Sequence, residues 1–169
     1  MPWWPVSPER TVRRTAVAVL AAAGVLVLVG CTQEPVDPAA VARWSAARAA
    51  AVRDDEDVLV VLSADVGAGR SEEPDRRSVG STFAGPAEID ALEFSCFGDG
   101  TMSTQVELQS HGSTVTYGAE PMQCGAAPQR LRVPVRWRHE VDRVAFGGGD
   151  STADSAWQLT VRGSGGGAG

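Results

Sequence analysis

Apolar residues recur at every second position in several short segments of this chain, and that period is the strongest constraint on its fold. The pattern is clearest over residues 102–108, and it returns around Phe94, Val133, Phe146 and Leu159. Successive side chains of a β-strand point to opposite faces of the sheet, so this alternation predicts strands with one buried face. The chain is therefore expected to build its core from sheets.

Turn residues separate the predicted strands. Gly98-Asp99-Gly100 stands between two alternating runs and predicts a β-hairpin that joins Leu92–Cys96 to residues 102–108. His111-Gly112 predicts a second turn. An earlier run, Val58–Leu62, is continuously apolar, which is typical of a strand buried on both faces.

These segments predict an all-β domain: a small antiparallel β-sandwich of about seven or eight strands. We place it at residues 58–162, with a flexible Gly-rich tail at 163–169. No second helical pattern alternates with the strands, which argues against a parallel α/β sheet. The apolar phase of the strands predicts a shared core of Phe94, Val106, Val133, Val135, Trp137, Trp157, Leu159 and Val161.

Residues 31–57 are predicted to form a tether with one short Ala-rich helix. Asp37 is a favourable N-cap, Pro38 is tolerated at the first helical position, and the following residues can continue a helix to Arg53. Trp44 is expected to pack on the domain, with contact to a membrane interface as the alternative. The acidic run at 54–57 lacks the spaced ligands and turn glycine of a calcium loop, so we interpret it as a solvated linker.

Residues 1–30 have the features of a signal peptide. Three arginines, Arg10, Arg13 and Arg14, precede an apolar run from Ala16 to Val29. A helix of that length spans about 21 Å, which is short of the ~30 Å hydrocarbon core of a bilayer. A basic head before a short apolar stretch predicts export rather than a permanent membrane span.

The end of the apolar run, Leu28-Val29-Gly30-Cys31, resembles the lipobox of bacterial lipoproteins. The resemblance implies that Cys31 is acylated and becomes the first residue of the mature chain. It also implies a lipid-anchored protein at the outer, extracytoplasmic face of the cell membrane. The alternative is an ordinary signal peptide in which Cys31 is incidental, and the Arg13-Arg14 pair leaves export by the Sec or the Tat route open.

The cysteine count agrees with export. Setting Cys31 aside leaves two of the three cysteines, Cys96 and Cys124. An even remainder in an exported domain predicts a disulfide. Free thiols or half of a metal site are the alternatives, but no further ligands stand at metal-binding spacing.

Four stretches together resemble small actinobacterial lipoproteins and secreted proteins. The stretches are residues 81–86, 92–101, 124–125 and 157–161. The second contains a Cys-x-Gly-x-Gly hairpin, the third is a Cys-Gly pair, and the last is a closing Trp-x-Leu-x-Val strand. The absence of lysine fits a genome of high GC content. The resemblance implies a disulfide-bridged β-sandwich at the cell surface, and it implies no activity.

Charge and residue types exclude several classes of function. Residues 31–169 hold 12 Arg and 20 acidic residues, a net charge of −8, which is unsuited to nucleic acid binding. His111 and His139 are the only candidates for acid–base chemistry at neutral pH, and neither has an evident orienting partner. No nucleophile motif, metal site or cofactor motif is present, so we predict neither a catalytic site nor a bound cofactor.

Four arginines form the one patterned polar feature. Arg130, Arg132, Arg136 and Arg138 alternate with apolar residues and are predicted to line the solvent face of one strand. Charged residues and Pro134 on such a strand protect a sheet edge. The other interpretation is a binding face for lipid headgroups, an acidic cell-wall polymer or an acidic envelope protein.

The sequence thus favours a membrane-anchored, non-catalytic binding or scaffolding module of the cell envelope. A structural lipoprotein without a ligand is the first alternative. An envelope hydrolase with a carboxylate-based site is the second.

Overall fold

The computed structural model describes residues 36–68 and 78–167. These residues form one helix, α1 (Pro38–Val52), and a sheet of seven strands. All paired strands are antiparallel, which confirms the predicted all-β architecture. The strands are β1 (Val58–Val66), β2 (Val79–Cys96), β3 (Thr101–Ser110), β4 (Ser113–Gln123), β5 (Gln129–Arg130), β6 (Val141–Gly149) and β7 (Ser155–Gly165).

The strand order is β1-β7-β2-β6-β3-β4, with the short β5 paired to β2. The 18-residue β2 serves two neighbours in turn. Its first part pairs with β6, beginning at Val79, and its second part pairs with β7 as far as Cys96. Ala87 lies at the changeover and pairs with β6 on one side and β7 on the other. One strand therefore belongs to both halves of the sheet: the half that contains β1 and β7, and the half that contains β6, β3 and β4.

The two halves fold over each other around a cluster of aromatic rings. The ring of Phe146 on β6 lies 5.4 Å from that of Phe94 on β2 and 4.7 Å from that of Trp157 on β7. All three side chains are buried. Packing of large aromatic rings at these distances stabilises the two facing halves beyond the burial of their area.

One of the two predicted hairpins is present. His111 and Gly112 connect β3 to β4, and both have positive φ, 50° and 73°, as a tight two-residue turn requires. The predicted Gly98–Gly100 hairpin is wrong, because β2 and β3 do not pair. Both edges of β3 are taken by β4 and β6, so the glycine loop carries the chain from one half of the sheet to the other.

Two strands, β1 and β7, also differ from the prediction. β1 is an edge strand on which Val61 is exposed, and it is not buried on both faces. The glycines from Gly163 do not begin a flexible tail: β7 continues to Gly165, which pairs with Ala87, and Gly166 accepts a hydrogen bond from the Ala84 N–H. The absence of side chains permits this approach, since a Cβ on Gly163 would lie 1.8 Å from the Glu88 carbonyl oxygen.

Helix α1 forms as predicted and packs against β7. The Asp37 side chain accepts a hydrogen bond from the Ala39 N–H and caps the helix. The Trp44 ring meets that of Phe97 edge-on at 6.0 Å, in agreement with packing on the domain. The outer face of the sheet beneath α1 carries a polar row, Ser95, Gln158 and Thr160, that is buried.

We expect Gly148→Ala to destabilise the domain. A Cβ at this position would lie 2.6 Å from the Met102 sulfur and 2.7 Å from Trp157 Cδ1, so the core has to shift, at a cost of about 1–3 kcal/mol. Gly147→Ala is the matched control, because its Cβ would meet no atom within 4 Å. Urea unfolding measures both, and an equal effect of the two variants would contradict this account of the packing.

Candidate functional site

The predicted disulfide is present. Cys96 at the end of β2 is bonded to Cys124 just after β4, with their Cα atoms 4.7 Å apart. Backbone hydrogen bonds reinforce the junction: the Gly125 N–H donates to the Cys96 carbonyl and the Cys124 N–H to that of Gly100. A bridge that closes a loop of this length, 28 residues in sequence separation, stabilises by roughly 3–4 kcal/mol on the chain-entropy estimate.

Cys31, the predicted lipidation site, lies outside the described residues. Within the part of the chain that is described, no helix has the length and apolar character needed to cross a membrane.

The four arginines do not share a strand, so that prediction is wrong. Only Arg130 belongs to a strand, β5, and the chain then runs to Pro134 and enters a single 3₁₀ turn, Val135–Trp137. Proline has no N–H for a strand ladder, which explains why the alternation stops there. Val133 is buried as predicted, and Leu131 is buried as well. Val135 is instead 64% exposed, and Trp137 is only partly buried against the core.

The arginines also differ in their contacts. The Arg138 guanidinium donates to the carbonyl oxygens of Val133 (2.8 Å) and Asp90 (3.3 Å), so it holds the turn in place. Arg130 is largely exposed, with its Nε 3.8 Å from a Glu93 oxygen. Arg132 and Arg136 are exposed and take part in none of the ion pairs among the described residues. The predicted face is reduced to a loop, residues 132–136, which we call the arginine loop.

Both histidines have partners that sequence reasoning missed. His111 Nε2 lies 2.6 Å from a Glu140 carboxylate oxygen. His139 Nδ1 contacts the Glu88 carboxylate, and the second oxygen of Glu88 accepts the Glu140 N–H at 3.2 Å. Each contact joins residues that are far apart in sequence, so no local motif could have indicated it.

Sheet topology brings these groups together. Ser110 on β3 and Ala87 on β2 both pair with Val141, the first residue of β6. The turn after β3 and the residues before β6 therefore meet beside Glu88. We call His111, Glu140, His139 and Glu88 the histidine–glutamate cluster. Their side chains are between 47% and 68% exposed, and solvent at such a site weakens acid–base catalysis, which benefits from exclusion of water.

The electrostatics of the cluster favour an ionised Glu88. The hydrogen bond with the His139 side chain lowers the pKa of Glu88 below its ordinary value of 4.5, and the bond from the Glu140 N–H lowers it further. Hydrogen bonds donated to a carboxylate stabilise its charged form. The cluster therefore holds the start of β6 to the bend of β2 most firmly when Glu88 is charged.

The acidic run after α1 is more than a solvated linker. Arg162 on β7 donates to Asp55 (2.9 Å), Asp57 (3.0 Å) and Glu93 (3.0 Å). The Arg162 side chain is only 20% exposed, and the hydrogen bonds to Glu93 and Asp55 raise its pKa. Three carboxylates around one guanidinium fix the chain that leaves α1 against the sheet.

A cleft of about 540 Å³ separates the first turns of α1 from the ends of β1 and β7. Small residues leave this space open, among them Ala42, Ser45 and Gly67. Asp65 and Asp154 also line it, and Asp154 accepts the Ala68 N–H at 2.7 Å. The volume falls within the range of small-molecule sites.

No group of three or more His, Cys, Asp or Glu residues in the described ranges is arranged to hold a metal ion. Comparison of the chain with family models, with curated proteins and with solved structures finds no match.

We expect Glu88→Gln to lower stability in a pH-dependent way. Because the pKa of Glu88 is lowered by folding, its contribution is present above pH 4.5 and is lost as the pH falls below that value. Urea unfolding at a series of pH values checks this. The difference from the unsubstituted chain is expected at pH 7 and should decrease as the pH falls below 4.5 and through the lowered pKa of Glu88.

Glu56→Gln is the control, since it removes the same charge from an exposed residue of the acidic run. A Glu88→Gln effect that is constant from neutral to acidic pH would contradict the stabilising role of the ionised carboxylate.

Proposed function

We propose that this protein is a lipid-anchored module at the outer face of the cell membrane, and that it binds rather than catalyses. The observation that carries the proposal is the Cys96–Cys124 bridge, which leaves Cys31 as the one remaining cysteine of the sequence. Disulfides persist in exported proteins. The basic head, the apolar run and the lipobox-like Leu28–Cys31 segment support the same address, as does the resemblance to actinobacterial lipoproteins.

The positions of the titratable groups favour binding over catalysis. The histidine–glutamate cluster is exposed to solvent and has no cleft residue among its members. The cleft beside α1 is lined by two aspartates among its described residues and by no histidine. A general acid and a general base have to reach the same bound substrate, whereas the histidines and the cleft aspartates lie in different places.

We propose that the arginine loop is the contact for an acidic partner, either an envelope protein or an acidic cell-wall polymer. Arg132 and Arg136 project from the two ends of a short segment that also exposes Val135. Guanidinium groups bind carboxylates and phosphates through paired hydrogen bonds. An exposed apolar side chain between two such groups adds contact area without competing charge.

Replacing Cys31 with Ser tests the anchor. We expect the variant to leave the membrane fraction or to accumulate as an uncleaved precursor, because serine lacks the thiol that is acylated. Fractionation and mass spectrometry of the N-terminus measure both outcomes, with Thr32→Ser as the control. Membrane attachment equal to that of the unsubstituted chain, with the same mature N-terminus, would refute lipidation at Cys31.

Replacing Arg132 and Arg136 together with Gln tests the binding contact. With soluble polyglutamate as an acidic probe, we expect weaker capture and a smaller dependence on salt, since two charge contacts are removed. The melting temperature should change little, because neither residue takes part in the ion pairs of the described residues.

The control removes two charges elsewhere, by Arg43→Gln and Arg53→Gln, which are exposed on and just after α1. If both double variants bind polyglutamate equally, net charge alone explains capture and the arginine loop is not the contact. A structural lipoprotein without a ligand would then be the better description.

A further inference from the structure

β4 is the last strand of the sheet and pairs only with β3. The outer edge of β4 therefore has backbone N–H and C=O groups without a strand partner among the described residues. Thr114, Thr116 and Gly118 are all exposed. Long edge strands in natural proteins are usually protected by charge, proline or a covering element. The charged residue and the proline of β4, Glu120 and Pro121, stand near its end, and residues 113–119 contain neither.

The turn geometry decides which residues of β4 present their backbone outward. His111 and Gly112 form a two-residue turn, so the flanking pair, Ser110 and Ser113, exchanges hydrogen bonds. Such pairs alternate along an antiparallel ladder. Val115 and Tyr117 then bond to β3, while Thr114, Thr116 and Gly118 direct their N–H and C=O groups away from it.

We propose that the outer edge of β4 pairs with the β4 of a second copy of this chain, antiparallel about a two-fold axis at Thr116. In this register Thr116 pairs with the partner's Thr116, and Thr114 pairs with the partner's Gly118. By symmetry Gly118 pairs with the partner's Thr114, and each of the three pairs exchanges two hydrogen bonds between outward-facing backbone groups. A two-fold interface of this kind closes as a dimer and leaves no β4 edge unpaired.

Side-chain chemistry supports the register. In this register Val115 of each copy lies opposite Tyr117 of the other copy. A β-branched residue opposite an aromatic one is a favourable cross-strand pair. Both side chains are half-buried against the core, so the pairing would cover their remaining surface. Glu120, the one charged residue of β4, falls opposite the partner's Gly112, and no like charges oppose each other.

Thr116→Cys tests the register by disulfide trapping of the full chain in membranes. The two Thr116 Cα atoms of the proposed dimer are about 5.5 Å apart, which is within disulfide range. We expect a covalent dimer after mild oxidation. Thr114→Cys is the matched control: it is the same residue change on the same edge, but the two Thr114 Cα atoms would be about 14 Å apart, too far to bridge.

The unsubstituted chain, oxidised in parallel, gives the background from Cys31 thiols that are not acylated. A covalent dimer that is several-fold more abundant with Thr116→Cys than with Thr114→Cys supports the proposal. Equal trapping of the two variants shows random collision or another register and overturns it. No trapping above the background at Thr116 also overturns it.

A second measurement uses Thr116→Pro in the purified full chain in detergent. Proline at this position removes an outward N–H and leaves the hydrogen bonds with β3 intact. Sedimentation equilibrium is expected to give the mass of two chains for the unsubstituted protein and of one chain for the variant. A monomeric unsubstituted protein, or a dimer that persists in Thr116→Pro, contradicts pairing through β4.

Discussion

The shared strand β2 is the constraint on which the rest of this structure depends. The ladder with β6 is interrupted between Thr82 and Ala87, in a stretch that contains Gly85-Pro86, and proline cannot donate to a ladder. The Pro86 carbonyl instead accepts the Gly166 N–H, so the strand changes partner there without leaving the sheet. Because of this change, Phe94 on the later part of β2 can face Phe146 on β6, and the two halves enclose one core.

The elements at the two ends of the domain secure this folded sheet by different means. At one end, the Cys96–Cys124 bridge joins the chain that leaves β2 to the chain that leaves β4, two strands that do not pair with each other. At the other end, Glu88 binds both His139 and the Glu140 N–H. Charge supplies a third connection at Arg162, which holds the acidic run to β7. The covalent connection is independent of pH, whereas the two polar ones depend on ionised carboxylates.

Sequence periodicity predicts which residues are buried far better than it predicts which strands are neighbours. The alternation in β3 is confirmed in full, because an amphipathic strand in either half of the sheet buries the same phase. The hairpin at Gly98–Gly100 fails for the same reason: alternation defines a face and carries no information about the partner. The prediction that Val135 is buried is wrong because Pro134 and the 3₁₀ turn that follows it end the alternation of the strand. The prediction of a flexible tail after Arg162 is wrong because it relied on glycine content alone. These glycines instead allow the backbone of β7 to lie close to the backbone of β2. The histidine pairs depend on a contact among β2, β3 and β6 that no short window contains.

The proposed contacts occupy different parts of the domain, so they can act together. Helix α1 begins beside Ser155 at the cleft, and Ser155 donates to the Phe97 carbonyl next to the disulfide. From Arg130 the chain runs antiparallel to β2, past Leu92 at Leu131 and past Ile89 at Arg138, toward the histidine–glutamate cluster. The ten-residue β3 that connects the two ends spans about 33 Å. The arginine loop thus lies between the disulfide and the histidine–glutamate cluster, and the β4 edge runs along the outermost strand of the sheet, away from β2 in the strand order.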